Sequence, residues 1–317
     1  MILKFLGVRR FSTAATSEFG KRVGFIGLGN MGLPMTANLV QRGFQVKAFD
    51  LNPATLEKCA EVGVKAVKTV GETASDVDYI VTSVPGTKDV EELLKGPDGI
   101  FKNARKGTMI CDTSTISPIA SKEFAAEAKK KEFIFVDSPM SGGITGAQAG
   151  TLTFMVGCEK DHFEQAKNVL LGMGKNVFHC GGPGTGEVAK ICNNLILGIN
   201  MIALAEGMSL GEKLGIDPKV LSNILSVSTA RSWCVDTYNP RPGVLENVPA
   251  SRNYNGGFQV SLIRKDLSIA LEAAEQTEAA TKFAEHAINY YRELEKKGFG
   301  KKDFGYVYQY IHKNFEV

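Results

Sequence analysis

KRVGFIGLGNMGLPMTANLVQRGFQVKAFD, residues 21–50, decides the fold. A short apolar run, VGFI (23–26), ends at Gly27-Leu28-Gly29-Asn30-Met31-Gly32, a G-x-G-x-x-G turn. A helical pattern then runs from Met31 to Arg42, and a second apolar run, VKAF (46–49), closes on Asp50. Glycine-rich hexapeptides are common, but here strand, glycines, helix and acid stand in register. Gly27 permits the tight turn, Gly29 lets backbone approach a pyrophosphate, and Gly32 lets helix and strand pack closely. The helix N-terminus turns its unpaired N–H groups toward the phosphates. Asp50, 18 residues past Gly32, stands where a carboxylate accepts from the ribose hydroxyls of an adenosine. It would repel a 2′-phosphate, so NAD is expected rather than NADP. Gly27, Leu28, Gly29, Asn30, Met31, Gly32 and Asp50 are its expected contacts.

The alternation continues outward. Apolar runs YIVTSV (79–84), TMIC (108–111) and FIFV (133–136) are short and bounded by turn residues, with helical stretches such as 53–61 and 117–130 between strands. Continuous apolar strands alternating with helices predict a parallel sheet covered on both faces. Thr151–Val156 and Asn176–Cys180 read as two further strands at its edge. After Gly186 the strand signal stops. One long helical pattern spans 187–213, and Asp217-Pro218 is an N-cap followed by proline at the first helical position. Further helices are expected at 218–226, 261–278 and 280–297, with 231–257, rich in Pro, Asn and Gly, as a long ordered loop. The fold class is therefore an α/β Rossmann-type N-terminal domain, 21–182, followed by an all-α C-terminal domain, 183–317, built on a long interdomain helix.

Composition narrows the function classes. Of 317 residues, 44% are hydrophobic and 22% charged, the balance of an ordinary globular chain. Residues 1–17 carry Lys4, Arg9 and Arg10 and no acid, and without them 34 basic and 34 acidic residues remain. A basic surface for nucleic acid is thus not indicated. MILKFLGVRRFSTAATS itself has the composition of a mitochondrial transit peptide. No run approaches the ~18 uninterrupted apolar residues of a membrane span. The six cysteines and four histidines are scattered, with no C-x-x-C pair, so neither a metal site nor a histidine triad is expected, and the thiols suit core positions.

Two segments carry chemistry. In DSPMSGGITGAQAGTLTFMVG (137–157), Ser141-Gly142-Gly143 sets a hydroxyl beside two residues without Cβ, where backbone N–H groups can approach a small anion. The same residues would also serve as a plain turn between strands. In GGPGTGEVAKICNN (181–194), Lys190 and Asn194 share a helix face with Val188, Ile191, Leu195 and Ile196 around them. A lysine in apolar surroundings has a lowered pKa and suits proton transfer, although an exposed helix lysine is the commoner case. Lys265-Asp266-Leu267 reads locally as a surface ion pair, worth little.

These pieces, in this order, resemble the β-hydroxyacid dehydrogenase family. Its members share a glycine-rich NAD(P) turn, an S-G-G substrate loop, a G-x-x-G-x-G-x-x-x-K-x-x-N helix and a K-D-L motif. Here they fall at Gly27–Gly32, Ser141–Gly143, Gly181–Asn193 and Lys265–Leu267, and the resemblance runs from about Lys21 to the end. It implies Lys190 as the catalytic residue, Asn194 as orienting the substrate, and Ser141, Gly142 and Gly143 as holding its carboxylate. Val84, Pro85, Thr115 and Lys265 would contact the cofactor, as would position 89, where Asp89 departs from the expected asparagine. AKICNN (189–194), DTYNPRPGV (236–244), NYNGGF (253–258) and KKDF (301–304) are similar to the branch acting on 3-hydroxyisobutyrate. That branch implies NAD-dependent oxidation to methylmalonate semialdehyde in valine breakdown, in the mitochondrial matrix, by a homodimer or homotetramer. The small β-hydroxy acid would be its partner, with no nucleic acid or membrane. A sister enzyme using tartronate semialdehyde or serine, and a non-catalytic scaffold, are the alternatives.

Overall fold

A computed structural model describes residues 19–313. The expected transit peptide at 1–17 lies outside them.

Among the described residues nine strands form one sheet: β1 Arg22–Ile26, β2 Gln45–Phe49, β3 Lys65–Ala66, β4 Tyr79–Thr82, β5 Met109–Asp112, β6 Ile134–Asp137, β7 Met140–Ser141, β8 Leu152–Gly157 and β9 Gly174–Gly181. The order β3-β2-β1-β4-β5-β6 is parallel throughout. It reverses between β1 and β4, the crevice where doubly wound sheets bind dinucleotides. Past β6 the sheet turns antiparallel at β8, which carries β7 on one side and β9, parallel, on the other. All four residues of β4 and of β5 are buried, because helices cover both faces. Alternate side chains divide between two cores: Phe25, Val81 and Cys111 on one face, Ile26, Ile80 and Ile110 on the other.

The helical half is built on Thr185–Lys213, 29 residues and about 44 Å at ~1.5 Å per residue. By length and composition this helix could cross a membrane, a possibility that the count of uninterrupted apolar residues excluded. Its apolar character serves packing: Met201, Ala205 and Met208 meet Ile263 and Leu267 of the helix Val260–Gln276, and Ile288 and Tyr291 of Lys282–Leu294. Asp217 caps the next helix, Pro218–Val227, accepting from Lys219 N at 2.9 Å and Val220 N at 3.0 Å.

Several local expectations shift. The helix read at 53–61 divides into Pro53–Leu56 and a 3-10 stretch, Glu57–Val62. The loop at 231–257 contains a short helix, Trp233–Thr237, and a turn, Pro249–Arg252. Buried Asp303 orders that loop, accepting from Tyr238 Oη at 2.8 Å and Phe258 N at 2.9 Å. Gly257, with φ +76°, passes so close that a Cβ would lie 2.2 Å from the Asp303 carboxylate. Of the six thiols, Cys192 is exposed and Cys180 half-buried, so four occupy core positions.

Candidate active site

The glycine turn sits at the β1 end of the crevice. A Cβ on Gly27 would lie 2.2 Å from Ser83 O, and one on Gly32 would lie 2.0 Å from Gly27 O, so both glycines are required by packing. A Cβ on Gly29 would meet nothing within 4 Å. The middle glycine therefore opens outward, beside exposed Asn30 and half-buried Met31, while the Leu28 side chain is buried in the sheet core. The helix Gly32–Gln41 starts directly behind, so the turn fits a dinucleotide pyrophosphate. Asp50, just past β2, accepts from Leu28 N at 2.7 Å with one oxygen and from Asn52 N at 2.7 Å with the other. It thereby braces the turn itself.

Across the crevice, half-buried Val84 and exposed Pro85 follow β4, and Thr115 follows β5. Val84 N donates to Ser114 Oγ at 2.9 Å. Lys265, on the helix Val260–Gln276, reaches from the helical half and donates to Pro85 O and Thr115 O, both at 2.9 Å. One ammonium thus brings together three of the residues expected at the cofactor. Asp89 is exposed in the first turn of the helix Thr87–Lys95.

Lys190 is 8% exposed, at the seam between the halves. Burial holds its pKa below the ordinary lysine value, against the pull of Asp266 and Glu187 and with the help of Lys265. The surroundings differ from the apolar set read off the helix. Ile191 is buried as expected, but Val188 and Ile196 are 42% and 57% exposed, and the buried carboxylate of Glu187 stands on this side of the helix with Asn194. Asn194, buried, donates to Asp266 Oδ2 at 2.6 Å and accepts from Asn193 Nδ2 at 2.9 Å. Asp266 is itself buried, 3.4 Å from Lys265, so the K-D-L pair is an interdomain fixture and not a surface ion pair.

Ser141 lies in β7, opposite Thr153 of β8. Gly142 and Gly143 take φ of 130° and 62°, values that glycine adopts without strain. A short helix, Gly143–Ala149, which the sequence pattern did not signal, then follows. Among the described residues no hydrogen bond joins Ser141–Gly143 to Lys190 or Asn194. The two groups share a strand: β8 pairs with β7, and the long helix packs on β8 so tightly that a Cβ on Gly186 would lie 2.3 Å from Met155 O.

Sequence reading missed three buried carboxylates around the start of the long helix, Asp112, Asp137 and Glu187. Asp137 accepts from Gly184 N at 2.6 Å and Glu187 N at 3.1 Å, capping the long helix, and burial lifts its pKa to about 6. Asp112 accepts from Thr82 Oγ1 at 2.7 Å and Ser114 N at 3.1 Å, and Glu187 accepts from Ile116 N at 3.2 Å. The cap spans 47 positions of sequence, beyond the reach of any local pattern.

A glycine turn at a sheet reversal, faced across a seam by a desolvated amine, defines an NAD-linked dehydrogenase acting on a CH–OH group. Residues 22–182 match the family model described as the NAD binding domain of 6-phosphogluconate dehydrogenase, and 184–311 that described as NAD-binding of NADP-dependent 3-hydroxyisobutyrate dehydrogenase. The mitochondrial 3-hydroxyisobutyrate dehydrogenase of Mus musculus is 45% identical over 92% of this chain and 87% of its own. The NAD-dependent L-serine dehydrogenase of Pseudomonas aeruginosa is 40% identical over 90% and 96%. A solved structure of Mycobacterium tuberculosis 3-hydroxyisobutyrate dehydrogenase with L-serine superposes with a TM-score of 0.87, at 34% identity, covering 94% of this chain and 100% of that one. The chain belongs to the 3-hydroxyisobutyrate dehydrogenase family.

Proposed function

We propose that this chain oxidises 3-hydroxyisobutyrate to methylmalonate semialdehyde with NAD, as a step of valine breakdown in the mitochondrial matrix. The observation that carries the reading is Lys190, an amine buried at the seam whose environment favours its neutral form. Residues 21–182 form the NAD-binding domain, and 183–317 the substrate and oligomerisation domain. NAD, when bound, supplies the hydride acceptor. Gly27 to Gly32 and Asp50 hold it on one side of the crevice, and Val84, Pro85, Asp89, Thr115 and Lys265 on the other. Ser141, Gly142 and Gly143 bind the substrate carboxylate, and Asn194, fixed by Asp266, orients the hydroxyl. Neutral Lys190 takes the hydroxyl proton as the carbon is oxidised. Anchoring the carboxylate keeps the reacting carbon in place, which removes orientational entropy from the barrier.

The chain acts as a homodimer or homotetramer. Support comes from Ile196, Leu210, Leu214, Ile224 and Val227, apolar side chains left exposed on the long helix and its successor. Oxidation of L-serine is the second reading, favoured by the serine dehydrogenase of Pseudomonas aeruginosa and by the serine in the Mycobacterium tuberculosis structure.

The test is NADH formation by protein lacking residues 1–17, with 3-hydroxyisobutyrate, L-serine, glycerate and 6-phosphogluconate, each with NAD and NADP. The reading expects the highest kcat/KM with 3-hydroxyisobutyrate and NAD. A higher value for serine replaces the substrate, and preference for NADP overturns the role of Asp50.

A further inference from the structure

Two carboxylates meet at one turn with an oxygen each to spare. Glu187, in the first turn of the long helix, and Asp112, at the end of β5, are both buried. Ser114 N donates to Asp112 Oδ1 and Ile116 N to Glu187 Oε2, so both carboxylates grip the 112–116 turn, two residues apart. Asp112 Oδ2 and Glu187 Oε1 are buried without any partner. Two ionised carboxylates at such a site would be costly, and so would two orphaned acceptors. A single proton resolves both: a carboxylic acid offers one O–H donor, and a carboxylate only accepts.

We propose that Glu187 and Asp112 share one proton across the seam, and that Glu187, as the neutral partner, is a positioning residue for Lys190. The shared proton clamps the turn carrying Thr115 to the helix carrying Lys190. It also withholds a negative charge from Lys190, three residues further on, which would otherwise hold the amine protonated. The other charged groups around Glu187 fit this assignment. Asp112 bears on it hardest, Asp137 of β6 adds a second negative field, and Lys265 opposes them more weakly. Burial and these two carboxylates keep Glu187 well above the usual carboxylate range. With Glu187 neutral its pull on Lys190 is withheld, and Asp266, the other carboxylate beside the amine, is engaged by Asn194.

The inference rests on Lys190 as the base, and its test separates the two claims. The first readout is the infrared carbonyl stretch of a protonated carboxylic acid, recorded on the folded protein without turnover. The pH is about 8, above the value of about 6 for the other two raised carboxyls, Asp137 and Asp303. The wild-type band is expected to persist there and to vanish in Glu187→Gln. The second is the acid limb of kcat/KM against pH, which Glu187→Gln should leave in place, since the amide copies a neutral acid. Absence of the band from wild-type protein overturns the proposal whether or not the variant folds. So does an acid limb moved down by about one pH unit or more in Glu187→Gln, the mark of a lost Glu187–Lys190 ion pair. If Lys190 were not the base, Lys190→Ala would keep the limb while the infrared band stayed, so the two failures are distinct.

Discussion

At the scale of single residues, burial and not residue type sets the chemistry. Lys190, Asp112, Asp137 and Asp266 belong to residue types usually found at the surface, and here the fold removes all four from water. Lys190 was legible as a candidate only through the motif around it, since the seam that desolvates it is formed by residues far away in sequence. Asp137 was legible only as a turn boundary. Its raised pKa gives a definite sign: the stability it contributes is present below the ordinary value of 3.8 and is lost as pH rises through about 6. Asp137→Asn stays neutral and removes that slope. The stability deficit of the variant should therefore narrow between about pH 4 and pH 6.5, by up to about 3 kcal/mol, in urea unfolding followed by circular dichroism. A deficit independent of pH would place the proton elsewhere.

At the scale of elements, the sequence predicted what is local and periodic. β1, β4, β5 and β6 were readable because both faces are buried and each is a continuous apolar run. The helix Thr185–Lys213 was readable from its long period, and Pro218–Val227 from its cap. Short elements escaped: β3 and β7 are two residues each, and the seven-residue helix Gly143–Ala149 carries two glycines, which read as turn residues. How elements join was also hidden. The helix Val260–Gln276 is tied to the turns after β4 and β5 by a single ammonium with two carbonyl partners. Lys265→Ala removes both bonds and leaves the helix-forming pattern intact. With hydrogen bonds to charged groups worth about 1.5–3 kcal/mol, KM for NAD should rise by roughly 10- to 100-fold. Thermal stabilisation by saturating NAD should shrink in parallel, and an unchanged KM would show that the tether does not shape the cofactor site.

At the scale of the whole molecule, the two halves are complementary and neither is complete alone. The sheet supplies the crevice and the glycine turn, whereas the helical half supplies Lys190, Asn194 and Lys265. The order of elements was enough to assign the class, because a sheet reversing beside a G-x-G-x-x-G turn has few other uses. The seam was not legible, since its contacts join residues such as Lys265 and Pro85, 180 positions apart. Central to the proposed function is a neutral amine at this seam that accepts the substrate proton. Its most direct test is single-turnover NADH formation by wild type and Lys190→Ala across pH, with NADH binding followed by fluorescence. Wild-type rates should fall on the acid side as Lys190 takes up a proton below its lowered pKa. The variant should turn over about 10²- to 10⁴-fold more slowly, without that acid limb, while NADH binding holds within about threefold. Comparable turnover with the limb intact would contradict the claim and assign the proton to another group.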